Sequence, residues 1–168
     1  MKYSSQKLGK MLKQIEEELR SLLLQEESAK EFCATIGEDV ESVRPDYDFI
    51  KTQQLKEQLN AKIRKIKHAL NEFNVSTVVQ EFDMTVDQML VYIPQLYTQK
   101  NFLAGLKDKL PKSRVVDRMR TLNMVDYCYL NYSVADATAK YNEVSAALSE
   151  AQMALDKLNA LEVIEIDL

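Results

Sequence analysis

The sequence predicts a mainly α-helical protein, with four long amphipathic helices that form two pseudo-symmetric antiparallel hairpins in a bundle or coiled-coil-like arrangement, plus a small β element. Apolar residues recur at spacings of three and four along most of the chain, as on one face of a helix. Three Gly and three Pro in 168 residues are too few for the many tight turns of an all-β protein. The two halves also show the same order of predicted elements. Strands are expected near residues 75–82, 124–131 and 161–168.

The net charge, the polar N-terminus and the cysteine spacing indicate which partners and which cellular compartment to expect. A net charge of -4 and a pI near 5.2 provide no general attraction to nucleic acid or to an anionic membrane, so neither is expected as a partner. The first residues contain no apolar run typical of a secretory signal or a membrane span, and we expect a cytoplasmic protein. Cys33 and Cys128 lack metal-ligand spacing and are interpreted as idle or buried thiols in a reducing compartment.

The first helix is predicted to begin near Ser4 or Ser5, either of which can cap it, and to end at Gly37. Leucines beside its main stripe widen the apolar face, so this helix is expected to contact two neighbours. The opposite face is acidic. The stripe consists of Leu8, Leu12, Ile15, Leu19, Leu22, Glu26, Ala29, Cys33 and Ile36.

The second helix is predicted from Asp46 to Phe73, after a polar connector that closes at Pro45. Its basic surface should attract the acidic first helix, although each exposed ion pair is worth only a few tenths of a kcal/mol. The β-branched run that follows Asn74 has the length of a strand. The apolar stripe of the helix consists of Leu55, Leu59, Ile63, Ile66, Leu70 and Phe73.

The third helix is predicted to open with a capping box, in which Thr85 is followed three residues later by Gln88. Pro94 should either kink this helix or mark its true start one turn later, and Pro111 should end it. The buried stripe is expected to consist of Met89, Ile93, Leu96, Leu103 and Leu110, interrupted by Lys100.

The remaining segments are less regular. Arg114–Leu122 is compatible with a helix, whereas the alternating aromatic residues of 125–132 fit a short strand better. The fourth helix is predicted from Asn131 to Leu158, and a strand follows it. Small inward residues place this helix deep in the bundle, because they allow close approach of a neighbouring helix. They are Ala135, Ala139, Ala146, Ala147, Ala151 and Ala154.

An internal repeat is predicted at an offset of 85 residues, which aligns 46–79 with 131–164. We therefore predict a single domain, 1–168, built of two halves of about 1–83 and 84–168. A pseudo-twofold would pair the strand after helix two with the strand after helix four. Asn74 and Asn159 would lie just past the helix ends, where Asn tolerates a left-handed conformation. The identities are Tyr47, Ala61, Ala69, Leu70, Asn74 and Val78.

The chain resembles the septicolysin-like family of small, mostly uncharacterised bacterial helical proteins. The resemblance covers most of the chain loosely, and its most particular parts are Asn74 with Ser76 and Thr77, the segment 85–90, and the segment 152–159. It implies a helical fold, and the family name implies membrane activity. The third helix departs from the family pattern, because Pro94-Gln95 stands where the family has an Arg-Asp pair.

No catalytic constellation is recognisable. The single His, at position 68, stands among cations on the second helix, and no cluster at helical spacing around it would make a zinc site. One His also excludes a di-iron bundle, which needs the Glu-x-x-His motif twice. The phosphate-binding glycine motifs and the nucleophile elbow are missing from the sequence. We expect no enzymatic activity, metal or cofactor.

Three functions are left open. The first is a non-enzymatic module that binds another protein or another copy of itself through amphipathic helices and open strand edges. The second is nucleic-acid or regulatory binding through the basic face of helix two. The third, membrane activity, is implied by the resemblance alone. The candidate interaction residues are Lys62, Arg64, Lys65, Lys67, Tyr127 and Tyr129.

Overall fold

The computed structural model describes residues 1–114 and 126–167, and it has the mainly α-helical fold that the sequence predicts. Within these residues there are four α-helices, a short 3-10 helix (Val40–Ser42) between the first two, and six short strands that form three antiparallel pairs. In chain order the elements are β1 (Lys2–Ser4), α1 (Ser5–Ala29), α2 (Phe49–Ser76), β2 (Val78–Val79), β3 (Met84–Thr85), α3 (Val86–Lys107), β4 (Lys112–Arg114), β5 (Tyr127–Tyr129), α4 (Val134–Leu161) and β6 (Val163–Glu165).

Each helix begins at a side chain that accepts a hydrogen bond from an otherwise unpaired backbone amide of the first turn. Ser4 caps α1 and Ser133 supplies the equivalent bond at the start of α4. The capping box at the start of α3 is confirmed, because Thr85 and Gln88 each accept from the backbone amide of the other, at 3.2 and 2.9 Å. For α2 the cap is Asp48 rather than the predicted Asp46.

Several predicted helix ends were wrong. Helix α1 ends at Ala29 instead of Gly37, although the apolar spacing continues to Ile36, which is fully exposed. Helix α3 ends at Lys107 before Pro111, and Leu110 is exposed beyond it. Pro94 lies inside α3, so the alternative of a later start is also wrong. The α4 range is shifted by three residues, and the 75–82 strand is reduced to β2 because α2 continues through Ser76.

The chain forms two compact units, the first of which contains Met1–Thr77 and the C-terminal residues from Leu158. In this unit α1 and α2 are antiparallel, and β6 pairs with β1 in the register Tyr3 opposite Ile164. The middle of the predicted α2 stripe is buried, whereas Leu55 at its start is exposed. The buried apolar residues of this unit are Leu8, Leu59, Ile66, Phe73 and Ile164.

Opposite charges join α1 to α2, as the sequence predicts. Glu16, in the middle of α1, bonds Lys67 at 2.8 Å. Near the end of α1, Glu26 accepts hydrogen bonds from Lys56 at 2.7 Å, from Gln53 at 2.6 Å and from the Tyr47 hydroxyl at 3.0 Å. The Glu26 side chain is only 15% exposed, so this cluster ties both the connector and the start of α2 to α1.

The second unit contains Val78–Lys157. Strands β2 and β3 form a tight hairpin in which Asp83 adopts a positive φ of 51°. Helices α3 and α4 are antiparallel, since Lys107 near the end of α3 lies over the Tyr141 ring near the start of α4. The buried residues of this unit are Val79, Val86, Met89, Leu96, Leu103, Ala137, Val144, Leu148, Ala151 and Leu155.

Strands β4 and β5 form an exposed antiparallel pair with Ser113 opposite Cys128. The strand predicted near 124–131 is thus present in its described part. Arg114 belongs to β4, and the rest of the predicted 114–122 helix lies outside the described residues. After β5 the Tyr132 hydroxyl donates to the carbonyl of Leu106 at 3.0 Å, which fixes the chain beside the end of α3 before α4 begins.

The predicted pairing of the strands after helices two and four was wrong. Strand β2 pairs with β3, and β6 pairs with β1, so each closing strand pairs with a strand that opens a hairpin. A short β-branched run fits any neighbouring edge, and the sequence pattern does not specify which edge is nearest. Asn74 and Asn159 were also placed wrongly, since both lie inside helices, α2 and α4.

The small residues of α4 are less buried than predicted. Among the six alanines expected to face inward, only Ala151 is buried, whereas Ala135, Ala139 and Ala146 are exposed. Ala137, which the prediction omitted, is buried instead. The inward face of α4 is therefore defined mainly by its larger residues, such as Val144 and Leu148, at the expected helical spacing.

Candidate interaction surface

Helix α3 differs from the other helices in having apolar side chains on all sides. Its charged residues are Asp87 in the first turn, Lys100 and Lys107. Lys100 and Lys107 both lie near the Tyr141 ring, with the ammonium groups 5.9 and 4.8 Å from its centre. Beyond Asp87 in the first turn, the side of α3 opposite its buried stripe carries no charge. We call this side the α3 outer face, and it comprises Leu90, Val91, Pro94, Gln95, Tyr97, Thr98, Gln99, Asn101, Phe102 and Gly105.

The large apolar residues of the α3 outer face are strongly exposed. Leu90 is 50% exposed, Val91 and Tyr97 are each 57% exposed, and Phe102 is 66% exposed. Single exposed apolar residues are common on protein surfaces, but several on one helix face without any charge between them are not. In a chain with 29% charged residues, this face is the part least adapted to contact with water.

Val91, Pro94, Gln95 and Thr98 form a four-residue depression on this face. Their spacings of three, four and seven are those of the hole that receives a side chain in knobs-into-holes packing. With Gln99 and Phe102 at its far end, the depression has a volume of about 680 Å³. The α3 outer face thus combines a hole with a protruding aromatic ring two turns away.

The polar groups at the depression differ in how their hydrogen bonds are satisfied within the helix. The Thr98 hydroxyl donates to the carbonyl of Pro94 at 2.9 Å, so it needs no external acceptor. Pro94 has no amide hydrogen, and the carbonyl of Leu90 therefore lacks the donor that helix geometry would provide. The side-chain amides of Gln95 and Gln99 can act both as donors and as acceptors toward a partner.

This arrangement is suited to protein association. Desolvating charged groups is costly, and interface cores are depleted in charge and enriched in aromatic residues. On the α3 outer face the groups to be desolvated are apolar side chains, the internally bonded Thr98 hydroxyl, the Tyr97 hydroxyl, the Leu90 carbonyl and adaptable amides, and none of them is charged. No acid-base pair lies among the residues of this face.

The four predicted basic residues are exposed, and they flank the buried stripe of α2 on both sides. Lys62 and Lys65 lie on one side of the buried Ile66, and Arg64 and Lys67 lie on the other. Lys67 bonds Glu16, and the Lys65 ammonium donates to the carbonyl of Asp167 at 3.3 Å. Part of the positive charge of α2 is thus neutralised within its own unit.

Tyr127 and Tyr129, the predicted aromatic residues, lie on β5 in the other unit. They are 47% and 67% exposed, and both rings face the Lys112 ammonium, at 4.2 and 5.3 Å from the ring centres. The lysine charge is held over the faces of the two rings, which is a cation–π arrangement. The hairpin of β4 and β5 therefore presents an aromatic surface with a charge at its centre, unlike the neutral α3 outer face.

The titratable groups of the described chain show no catalytic arrangement. Bonding by the Lys56 ammonium lowers the pKa of Glu26, against the opposing effect of its burial, and the bonds from Tyr47 and Gln53 lower it further. A carboxylate held ionised by three donors is suited to a structural role. His68 is exposed and lies 3.5 Å from Glu72 in the next turn. Residues 1–114 and 126–167 contain no His, Cys, Asp and Glu cluster able to hold a metal ion.

The α3 outer face is not evident from the sequence when each helix is read for a single apolar stripe. Val91 and Phe102 were outside that stripe and were not considered. The available signal was the absence of any charged residue between Asp87 and Lys100, together with apolar residues on both sides of the helix. A search for uncharged helix faces would have identified this surface.

Comparisons with other proteins establish the fold and give no activity. No protein-family model matches the chain, and no curated protein matches it. A crystal structure described as that of a functionally unknown conserved protein from Corynebacterium diphtheriae is similar, with a TM-score of 0.66 and 13% sequence identity, over 98% of this chain and 100% of that one. At this identity the likeness shows a shared fold. None of the described helices is both long and apolar enough to cross a membrane.

Proposed function

We propose that this protein is a non-enzymatic helical module that acts by binding another protein or another copy of itself, and that the α3 outer face is its binding surface. The observation that carries the proposal is the exposure of Val91, Tyr97 and Phe102 on a helix side that bears no charge between Leu90 and Gly105. Such surfaces are depleted in charge and rich in aromatic residues where proteins associate.

A contrast within the chain supports this choice of surface. The exposed sides of α1 and α2 carry many charged residues, which remain hydrated in the free protein. Removing the apolar side chains of the α3 outer face from water would be favourable by about 25 cal/mol of free energy per Å² of apolar area.

A duplicated hairpin is part of the proposal. Helices α2 and α4 both have 28 residues and begin 85 residues apart, at Phe49 and Val134. The strand registers are equivalent as well, since Val79 pairs with Met84 in one unit and Ile164 pairs with Tyr3 in the other. These correspondences support descent of both halves from one hairpin, of which only the second copy would have acquired the neutral outer face.

The alternatives have weaker support. Nucleic-acid or regulatory binding through α2 needs a continuous basic face, whereas the cations of α2 lie on both sides of Ile66 and two of them have partners in the same unit. Retention on heparin at low salt is the measurement for that function. Membrane activity rests on the family resemblance alone, and release of dye from anionic liposomes measures it.

The proposed surface can be tested by placing a photo-reactive amino acid at position 102 in the full-length protein, inside cells that express it naturally. Position 153 on α4 is the matched control, because Met153 is 62% exposed and lies in the middle of a helix of the same unit. We expect cross-linked protein adducts from position 102 and few or none from position 153.

The masses of the adducts distinguish the two kinds of partner. An adduct of twice the mass of the chain indicates a second copy, and any other mass indicates a different protein. Equal cross-linking from positions 102 and 153, or none from either, would contradict the assignment of the α3 outer face.

A further inference from the structure

We infer that the partner of the α3 outer face is a second copy of this chain, bound so that Phe102 of each copy enters the depression on α3 of the other. This inference rests on the proposed function and specifies its partner. It follows from the spacing of the depression and the aromatic ring along one helix, from the neutrality of the face, and from the absence of unpaired hydroxyl groups at its centre.

The spacing makes the face complementary to itself. The hole formed by Val91, Pro94, Gln95 and Thr98 is centred between residues 94 and 95, about two turns before Phe102. In an antiparallel pair of α3 helices with the two Thr98 residues facing each other, Phe102 lies four residues after the centre and Pro94 four residues before it. Each ring therefore stands opposite the hole of the other helix, and the symmetry fills both holes at once.

The ends of the contact also fit. Val91 and Gly105 lie seven residues on either side of Thr98, about 10 Å along the helix, so they oppose each other in the same arrangement. Gly105 has no side chain, and there is no other atom within 4 Å of the place that a Cβ would occupy. The branched side chain of Val91 can thus approach the partner backbone at this point.

The electrostatics favour a copy over a charged partner. Two identical faces repel each other when they carry a net charge. The α3 outer face carries no charge between Leu90 and Gly105, because Lys100, the one charged residue of that stretch, lies over the Tyr141 ring on another side of the helix. Thr98 at the centre already donates to Pro94, so its burial leaves no unpaired donor. Gln95 and Gln99 lie on the same flank, where the amides of the two copies can bond each other.

The size of the surface sets the expected affinity. A contact between two helices over about four turns is small, since stable interfaces bury roughly 1,200 Å² or more. The dimer should accordingly dissociate in the range of about 1 to 100 µM, and it should be visible only when the protein is concentrated.

Sedimentation velocity of the full chain, over about 1 to 300 µM, tests the inference. The wild type should change reversibly from monomer to dimer. Phe102→Glu should raise the dissociation constant by about 30-fold or more, because it places a charge in the hole of the partner. Met153→Glu, the matched control, should leave the dissociation constant unchanged. Helical circular dichroism shows that each variant folds, and Val91→Glu replaces Phe102→Glu if the latter does not fold.

The outcomes separate this inference from the proposed function. A wild type that stays monomeric throughout, or a dimer that Phe102→Glu leaves intact, overturns the inference. So does a dimer that Met153→Glu disrupts equally. If sedimentation shows only monomer while the photo-reactive residue at position 102 captures a different protein, the proposed function stands and the second copy is the wrong partner.

Discussion

The two helical pairs of this chain differ in the charge of their exposed surfaces. Helices α1 and α2 are joined by the Glu16–Lys67 and Glu26–Lys56 ion pairs, and their exposed sides are charged. No ion pair joins α3 to α4 among the described residues, and lysines lie over the Tyr141 ring instead. The α3 outer face is neutral and apolar. The comparison teaches that surface chemistry can differ sharply between two hairpins of similar construction, because a long exposed helix side without charge occurs on α3 and not on α1 or α2.

The largest expected effect concerns the core residues at corresponding positions of α2 and α4. Ile66 is completely buried, and Ile66→Ala should lower the free energy of unfolding by about 2–5 kcal/mol, because it removes apolar contacts and leaves a cavity. Urea denaturation followed by circular dichroism measures this. Leu24→Ala, at a site on α1 that is 67% exposed, is the control and should change stability by less than about 0.5 kcal/mol.

At the corresponding residue of α4, enlarging the side chain, rather than shortening it, should lower stability. Ala151 is also completely buried, and it lies 85 residues after Ile66. Ala151→Leu should lower the free energy of unfolding by about 1–3 kcal/mol, because the added atoms overpack the space around α4. A neutral or stabilising result in the same denaturation experiment would show spare volume there and contradict close packing at this position.

Sequence reasoning predicted the helices because each carries a long apolar stripe of period 3.6, and burial of that stripe decides the fold class. It failed where tertiary contacts override periodicity. The spacing of α1 continues to Ile36, yet the connector is held away from a helical path by contacts such as Arg44 over the Phe32 ring, at 5.2 Å. Strand pairing failed for a similar reason, since β2 and β6 are alike in sequence and only the fold determines which edge each meets.

The candidate surface could not be predicted from the sequence. Tyr127 and Tyr129, which the sequence indicates as possible contact residues, are exposed, but they lie on β5 and outside the α3 outer face. The depression around Pro94 was not predicted, because the sequence does not show whether an apolar residue outside the main stripe is covered by a neighbour or exposed. The exposure of Val91 and Phe102 became evident only from the structure.

Replacing the residues that cap α1 and α3 should lower stability by a smaller amount, and it compares the two units directly. Thr85→Ala removes one half of a capping box, whereas Ser4→Ala removes a single hydrogen bond of 3.3 Å at the start of α1. We expect Thr85→Ala to lower the free energy of unfolding by about 1 kcal/mol and Ser4→Ala by less. Thermal unfolding of the two variants side by side measures the difference, and equal losses would contradict a special contribution of the reciprocal bond.

The smallest expected effect is a pH dependence at Glu26. Its pKa is lowered in the folded protein below the ordinary value of 4.5, chiefly by the Lys56 ammonium. The ionised carboxylate therefore stabilises the fold above that value, and this contribution disappears as the pH falls through the lower folded pKa. The melting temperature of Glu26→Gln should be a few degrees below that of the wild type at pH 7, and the gap should close below pH 4.5.

A control variant isolates that effect from the loss of one negative charge. Glu17→Gln changes an exposed carboxylate on the same helix and should leave the melting curve close to that of the wild type at every pH. A gap for Glu26→Gln that stays constant between pH 7 and pH 3 would count against the role of the ionised carboxylate.

Disulfide trapping tests the central claim most directly, because it reports both the face and the register of contact. With Cys33 and Cys128 replaced by Ser, Thr98→Cys should form a disulfide-linked dimer under mild oxidation, since the two copies of position 98 meet on the twofold axis. Val91→Cys and Gly105→Cys should cross-link to each other when mixed and should each link poorly to themselves. Failure of Thr98→Cys to cross-link at concentrations where the wild type is dimeric, or strong self-linkage of Val91→Cys, would contradict the account.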